Sequence, residues 1–151
     1  MTKNLLTSLF LVFLITVGLD AYGQNQIITT PEPSIRQFTV PAGVTSLTVE
    51  VWGAGGKGGS RLTSGEGGGG GGGAYSRSVI AVTPGQIIDY YVGFGSLSEL
   101  PGEDTWFINN TTLMAKGGNS VINDVFTGAS GGSAASGFGT TKFSGGNGAN
   151  A

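Results

Sequence analysis

The sequence predicts an all-β fold: an antiparallel, jelly-roll-like β-sandwich with inserted glycine-rich segments. Three observations carry that reading. Residues 44–52 alternate strictly, with Leu47, Val49 and Val51 on one side and Thr48, Glu50 and Trp52 on the other. Such alternation marks a strand with one buried face. Turn-forming Pro-Gly and Asn-Asn pairs separate further short apolar runs, at the spacing typical of a sandwich. Thirty of the 151 residues are glycine, and seven of them are consecutive, from Gly67 to Gly73. A strict Gly-X-Y period, which would indicate collagen, is absent, and no helical periodicity with caps follows residue 24.

The elements follow in chain order. Lys3, an apolar run over 5–17, and the small residues Ala21 and Gly23 form the pattern of a secretory signal peptide over 1–23. The run is shorter than the ~20 residues a membrane span needs. The expected chain is therefore secreted or at the cell surface, with no stable membrane span after cleavage. Residues 24–34 are a polar lead-in containing Pro31 and Pro33, and 35–151 form a glycine-rich β domain. Strands are expected over 35–40, where Phe38 and Val40 share a face, and over 44–52, 75–82, 87–92, 105–108 and 111–115. Thr83-Pro84-Gly85-Gln86 suits a type II turn, with proline at the second position and glycine at the third. Leu100-Pro101-Gly102-Glu103 repeats that logic. Asn109-Asn110 reads as a tight hairpin, because asparagine tolerates positive φ.

Residues 53–73 connect two strands over a length at which a structureless loop is unusual. One reading is a flexible linker. The other is a set of polyglycine II helices, threefold and left-handed, rising ~3.1 Å per residue without internal hydrogen bonds. Packed side by side, such helices satisfy one another's backbone groups, and only glycine permits the close approach. Glycine pairs at 117–118, 131–132 and 145–146 recur every 14 residues. Residues 145–151 stop in mid-pattern, so the domain reads as incomplete at its C-terminus or as part of a longer parent chain.

Composition excludes several functions. With no histidine and no cysteine, a Ser-His-Asp triad, a thiol nucleophile, disulfides and His/Cys zinc sites are all ruled out. No enzyme, cofactor or metal site is expected. Seven basic against nine acidic residues leave no basic face for nucleic acid. Gly53-Ala54-Gly55-Gly56-Lys57-Gly58 matches G-x-G-x-x-G after a strand. The helix that a dinucleotide fingerprint requires cannot form from 59–73. Lys57 lacks the P-loop context, with Gly58 where Ser or Thr is required. Asn109 and Asn110 each open an Asn-x-Thr sequon, and turn chemistry already accounts for both. Trp52, Tyr75, Tyr90, Tyr91, Phe94 and Trp106 read mainly as core or as seals over strand ends, since few other large residues are available to bury. Exposed on a β-face, they would stack on glycans or a protein partner. Glu99, Glu103, Asp104 and Lys57, Arg61, Arg77 read as solvated surface. The candidate binding residues are Lys57, Arg61 and Trp106, read as loop positions. Uncharged glycine-rich edges also favour self-association.

Phe38-Thr39-Val40-Pro41-Ala42-Gly43-Val44-Thr45 and Val49-Glu50-Val51-Trp52-Gly53-Ala54-Gly55-Gly56 resemble the opening of a glycine-rich domain family of bacterial surface proteins and phage tail proteins. Gly69 to Ser76, Val82 to Gln86, Val92-Gly93-Phe94-Gly95 and Ala115-Lys116-Gly117-Gly118 resemble later landmarks in the same order. The resemblance covers about residues 36–148. It implies a β-sandwich core carrying bundled polyglycine helices, similar to the tips of phage receptor-binding adhesins. Gly93-Phe94-Gly95-Ser96 departs from the fuller glycine run usual there. What the resemblance implies is an exported, non-enzymatic module that binds a cell-surface glycan or protein receptor through loops such as 56–64. The alternatives are a structural component of an extracellular matrix or surface layer, and a non-catalytic module of a larger secreted protein.

Overall fold

The computed structural model describes residues 25–63 and 65–151. The signal-peptide reading of 1–23 lies outside the described residues. Seven strands are present: β1 Arg36–Thr39, β2 Ser46–Trp52, β3 Tyr75–Ala81, β4 Ile87–Tyr91, β5 Thr105–Phe107, β6 Leu113–Ala115 and β7 Thr141–Phe143. A single 3-10 turn at Ala134–Ser136 is the only helical element among the described residues. Two antiparallel sheets form, ordered β1-β4-β5-β6 and β2-β3-β7. This is the all-β sandwich arrangement that the alternating strands predict.

The core lies where β2 and β3 face β5 and β6. Val51, Ile88, Phe107, Leu113 and Ala115 are buried there with Val40 and Val82, and Phe38, Leu47, Val49 and Ile80 pack around them. In β2 the expected alternation holds: Leu47, Val49 and Val51 face inward while Thr48, Glu50 and Trp52 are exposed. The Thr83–Gln86 turn forms as predicted. Gly85 takes φ +79°, and the Gln86 N–H donates to the Thr83 carbonyl at 3.0 Å.

Five glycine-rich segments extend from these sheets over 53–60, 65–74, 116–124, 126–133 and 144–151. Their backbone hydrogen bonds recur at every third residue. Gly53, Gly56 and Gly59 donate to Ala74, Gly71 and Gly68. Gly118, Val121 and Asp124 donate to Ala54, Lys57 and Ser60. Gly145, Gly148 and Ala151 donate to Gly132, Ala129 and Phe126. A three-residue period between extended segments is the signature of packed polyglycine II helices, so the linker reading of 53–73 is overturned. The segment 65–74 lies at the centre and bonds to each of the other four. Close packing explains the seven-glycine run: a Cβ on Gly68 would lie 2.6 Å from the Thr127 carbonyl, and one on Gly67, Gly70, Gly71 or Gly73 would overlap neighbouring backbone more severely still. The glycine pairs of the 14-residue repeat meet this segment at one level. Gly118 crosses against the Gly71 carbonyl, Gly132 donates to Gly72, and Gly145 crosses against Gly72.

The structure corrects two local readings. Leu100-Pro101-Gly102-Glu103 is not a type II turn. Gly102 lacks positive φ, and its N–H is drawn to Gly118 while the Glu103 N–H bonds to Phe94. At the Asn109-Asn110 connection the positive φ falls on Ile108, at 73°. Asn109 acts instead through its side chain, accepting from the Thr111 N–H at 3.0 Å and hydroxyl at 2.9 Å. Strand β7 is too short, and too closely flanked by glycine, to show a period in the sequence. Residues 144–151 pair along their length with 126–133. There Ser144, Asn147 and Asn150, three residues apart, accept the N–H groups of Ala134, Gly131 and Gly128 at 3.0 Å each.

Candidate functional site: the distal bundle loops and the outer sheet face

The hydrogen-bond register fixes which end of the bundle is free. Gly53, Ala74 and Lys116 adjoin the sheets. Ser60, Asp124, Phe126 and Ala151 mark the far end. Two residues at that end hold the first glycine loop. The Asn123 side-chain carbonyl accepts from the Lys57 ammonium at 3.0 Å and from the Ser60 N–H at 2.9 Å. The Asp124 carboxylate accepts from the Leu62 N–H at 2.7 Å, the Thr63 N–H at 3.2 Å and the Thr63 hydroxyl at 3.0 Å. The backbone hydrogen bonds from Leu62 and then Thr63 hold the Asp124 carboxyl below the usual carboxylate range, because each N–H favours the charged form. Asp124 adopts φ 57° to reach them, a conformation aspartate tolerates better than most residues.

The loops so anchored carry apolar side chains into solvent: Leu62 at 68% exposure and Phe126 at 51%, with Ile122 and Val125 beside them. Exposed apolar groups on loops at one end of a domain are a usual mark of an interaction surface. Sequence reasoning looked for charged and aromatic residues and passed over these four. The available signal was an aliphatic or aromatic side chain interrupting a glycine segment.

Lys57 and Arg61 do sit toward this end. Lys57 is engaged by Asn123 and Ser120, and Arg61 is exposed. Trp106 is not with them and is not on a loop. It lies in β5, stacked on Tyr91 with centroids 6.1 Å apart. The Tyr91 hydroxyl donates to Glu103, which pushes the phenol pKa up. Asp104 accepts from the Lys116 ammonium at 2.9 Å and the Gly117 N–H at 2.9 Å, so Glu103 and Asp104, read as solvated surface, brace the sheet against the bundle.

The core reading of the aromatics holds for Tyr90, which packs against the buried cluster, and is corrected for Trp52 and Phe94. Trp52 is 59% exposed on the outer face of the three-stranded sheet. It lies opposite Tyr75 on β3, which lies opposite Phe143 on β7. Ring centroids are 5.2 Å apart for Trp52–Tyr75 and 5.9 Å for Tyr75–Phe143. Phe94 is also exposed. Among the described residues no cluster of acidic side chains is arranged to hold a metal ion, and no helix is long and apolar enough to cross a membrane.

Comparison with curated proteins and with solved structures yields no match. A family model described as a glycine-rich domain matches residues 29–151, a span that takes in both sheets and all five glycine segments. The chain belongs to this glycine-rich domain family.

Proposed function

We propose that this chain is an exported, non-enzymatic surface module of bacterial or phage type that binds a cell-surface receptor through the loops at the distal end of its glycine bundle. One observation carries the proposal: the far end of the bundle holds Leu62, Ile122, Val125 and Phe126 in solvent, with Ser60, Leu62 and Thr63 clamped by Asn123 and Asp124. Exposed apolar side chains at such positions add little to folding and supply the buried contact that recognition uses. The bundle behind them keeps the loops pre-organised, which lowers the ordering cost of binding. The absence of histidine and cysteine is in keeping with a non-catalytic role. A matrix or surface-layer role makes a different prediction, namely tolerance of any change at the tip.

The test is adhesion of the fluorescently labelled full chain to intact bacterial cells, compared with Leu62→Asp/Phe126→Asp and Arg61→Ala variants of unchanged melting temperature. Saturable attachment that the tip changes reduce at least tenfold supports the proposal. Attachment unaffected by them, or none at all, sinks it.

A further inference from the structure

Over residues 75–79 strand β3 inverts the usual distribution of side chains. Two of its three inward positions are serine: Ser76 is fully buried, with its hydroxyl donating to the Met114 carbonyl at 2.7 Å, and Ser78 is nearly so, while the third, Ile80, packs against the core. Its outward positions are Tyr75, Arg77 and Val79. Small inner residues suit the close approach of β6 and the 134–138 turn. Folding does not require that the outer face carry aromatics. A row of rings in which Trp52 and Phe143 are exposed and Tyr75 is half-buried therefore runs against the normal preference for burial, and a local rule broken without a folding benefit points to function.

The row is built by register. Trp52, Tyr75 and Phe143 are direct cross-strand neighbours over β2, β3 and β7. Tyr75 and Phe143 lie nearly parallel, at 25°, and Trp52 is tilted by 56° to Tyr75. Phe143, at 63% exposure, closes the far end. One register step away runs a polar row, Glu50, Arg77 and Thr141. The Arg77 Nε lies 3.5 Å from the Glu50 carboxylate, so this row offers donors and acceptors with no net charge.

We infer that this face binds a neutral carbohydrate chain, the apolar faces of successive sugar rings stacking on Trp52, Tyr75 and Phe143 while Glu50, Arg77 and Thr141 take up hydroxyl groups. Charge decides the occupant. The Glu50–Arg77 pair gives neither an anionic nor a cationic ligand a net attraction, whereas a polyhydroxyl ligand uses both its acceptor and its donors. Tyrosine and tryptophan combine an apolar face with a polar edge, which suits a ligand that is apolar on its ring face and polar at its rim. The surface is distinct from the distal loops, and the inference does not rest on them.

The test is native affinity electrophoresis of the full chain in gels containing hydroxyethyl cellulose, a mixed-linkage β-glucan or mannan, with sedimentation velocity run alongside. Retardation by at least one of these polymers is expected. Trp52→Ala and Phe143→Ala should each weaken it about tenfold, Trp52→Phe should keep most of it because the ring remains, and Ile87→Ala, at an exposed position of the other sheet, should leave it unchanged. Retention of binding by Trp52→Phe shows that loss in the alanine variant is not a folding defect. Retardation by none of the polymers overturns the inference, as does retardation that survives Trp52→Ala. A dimer that Trp52→Ala dissociates would also overturn it, because a second copy of the chain would then occupy the face.

Discussion

Replacing Gly68 by alanine tests whether the glycine run is required by packing or is merely tolerated. The added Cβ would stand 2.6 Å from the Thr127 carbonyl carbon and oxygen and 2.8 Å from the Gly128 nitrogen, whereas ordinary contact begins at 3.4 Å. The segment 126–133 would have to retreat by about 0.8 Å, the difference between those separations. A retreat of that size stretches the Ala129 N–H bond to Gly69 from 2.9 Å and the Gly68 N–H bond to Val125 from 2.8 Å beyond useful hydrogen-bonding range. Two such bonds contribute about 1 kcal/mol each, and forcing atoms into a packed interior adds about 1–3 kcal/mol. The expected loss is about 3–5 kcal/mol, or roughly 10–20 °C in melting temperature for a domain of this size. The structure also sets a graded series. A Cβ on Gly69 would meet atoms at 3.0 Å, one on Gly72 at 3.5 Å, and one on Gly146 nothing within 4 Å. Gly146→Ala should be neutral, or stabilising by up to about 1 kcal/mol through the unfolded chain. Urea denaturation of the four variants, followed by tryptophan fluorescence, should rank Gly68 as worst, then Gly69, Gly72 and Gly146. The packing argument is refuted if Gly68→Ala falls within 0.5 kcal/mol of the parent, or if Gly146→Ala is equally damaging.

Further outcomes follow from the same geometry. Asn147→Ala should cost about 0.5–1.5 kcal/mol by leaving the Gly131 N–H without its partner, and adding Asn150→Ala should roughly double the loss in the same denaturation assay. Asp124→Ala should free the loop at 60–63 and speed tryptic cleavage after Arg61 several-fold while barely moving the melting temperature. The Asp124 carboxyl is held below its ordinary pKa, so the loop clamp is present above that ordinary value and is lost as pH falls through the lowered one. Amide exchange at Leu62 and Thr63 should accordingly gain protection relative to Asp124→Ala at neutral pH and lose that advantage in strong acid. Gly85→Ala should destabilise by about 1 kcal/mol despite open space around the residue, because φ is +79° and an L-residue is strained there.

What was legible depended on the period involved. Strands β2 to β4 were readable because their alternation of two exposes one side chain and buries the next, and burial decides which face is apolar. Strand β7 was not, since Thr141, Lys142 and Phe143 are all exposed and leave no alternation to read. The threefold segments were legible as glycine but not as pairings, because the chain does not announce which glycine faces which carbonyl. The Ser144, Asn147, Asn150 spacing was visible in the sequence. It gains meaning only beside 126–133, whose N–H groups those side chains take. The site divides in the same way. Lys57 and Arg61 lie away from the sheets because any long excursion carries its middle away from them. The aromatic row was not foreseen, because membership in it depends on β3 turning serines inward, and an alternating strand does not say which of its faces is the inner one when both carry some polar residues.

The sheet and the bundle are one antiparallel ribbon. Trp52 pairs with Tyr75 as the last step of the β2–β3 ladder, and Gly53 then bonds to Ala74, Gly56 to Gly71 and Gly59 to Gly68. The ladder continues, but its period changes from two to three at the Trp52–Gly53 peptide. Beyond that step a Cβ at Gly67, Gly68, Gly70, Gly71 or Gly73 would collide with another segment, so glycine replaces the alternation that built the sheet. Two consequences follow. The distal loops are tied to the three-stranded sheet by continuous hydrogen bonding, so force applied at the tip is shared among parallel bonds and does not fall on one loop. The aromatic row lies at the junction, where Trp52 and Tyr75 are the last large side chains before the bundle excludes them. A ligand seated on those rings would therefore brace the point at which the two periods meet, coupling occupancy of the sheet face to the stiffness of the glycine bundle.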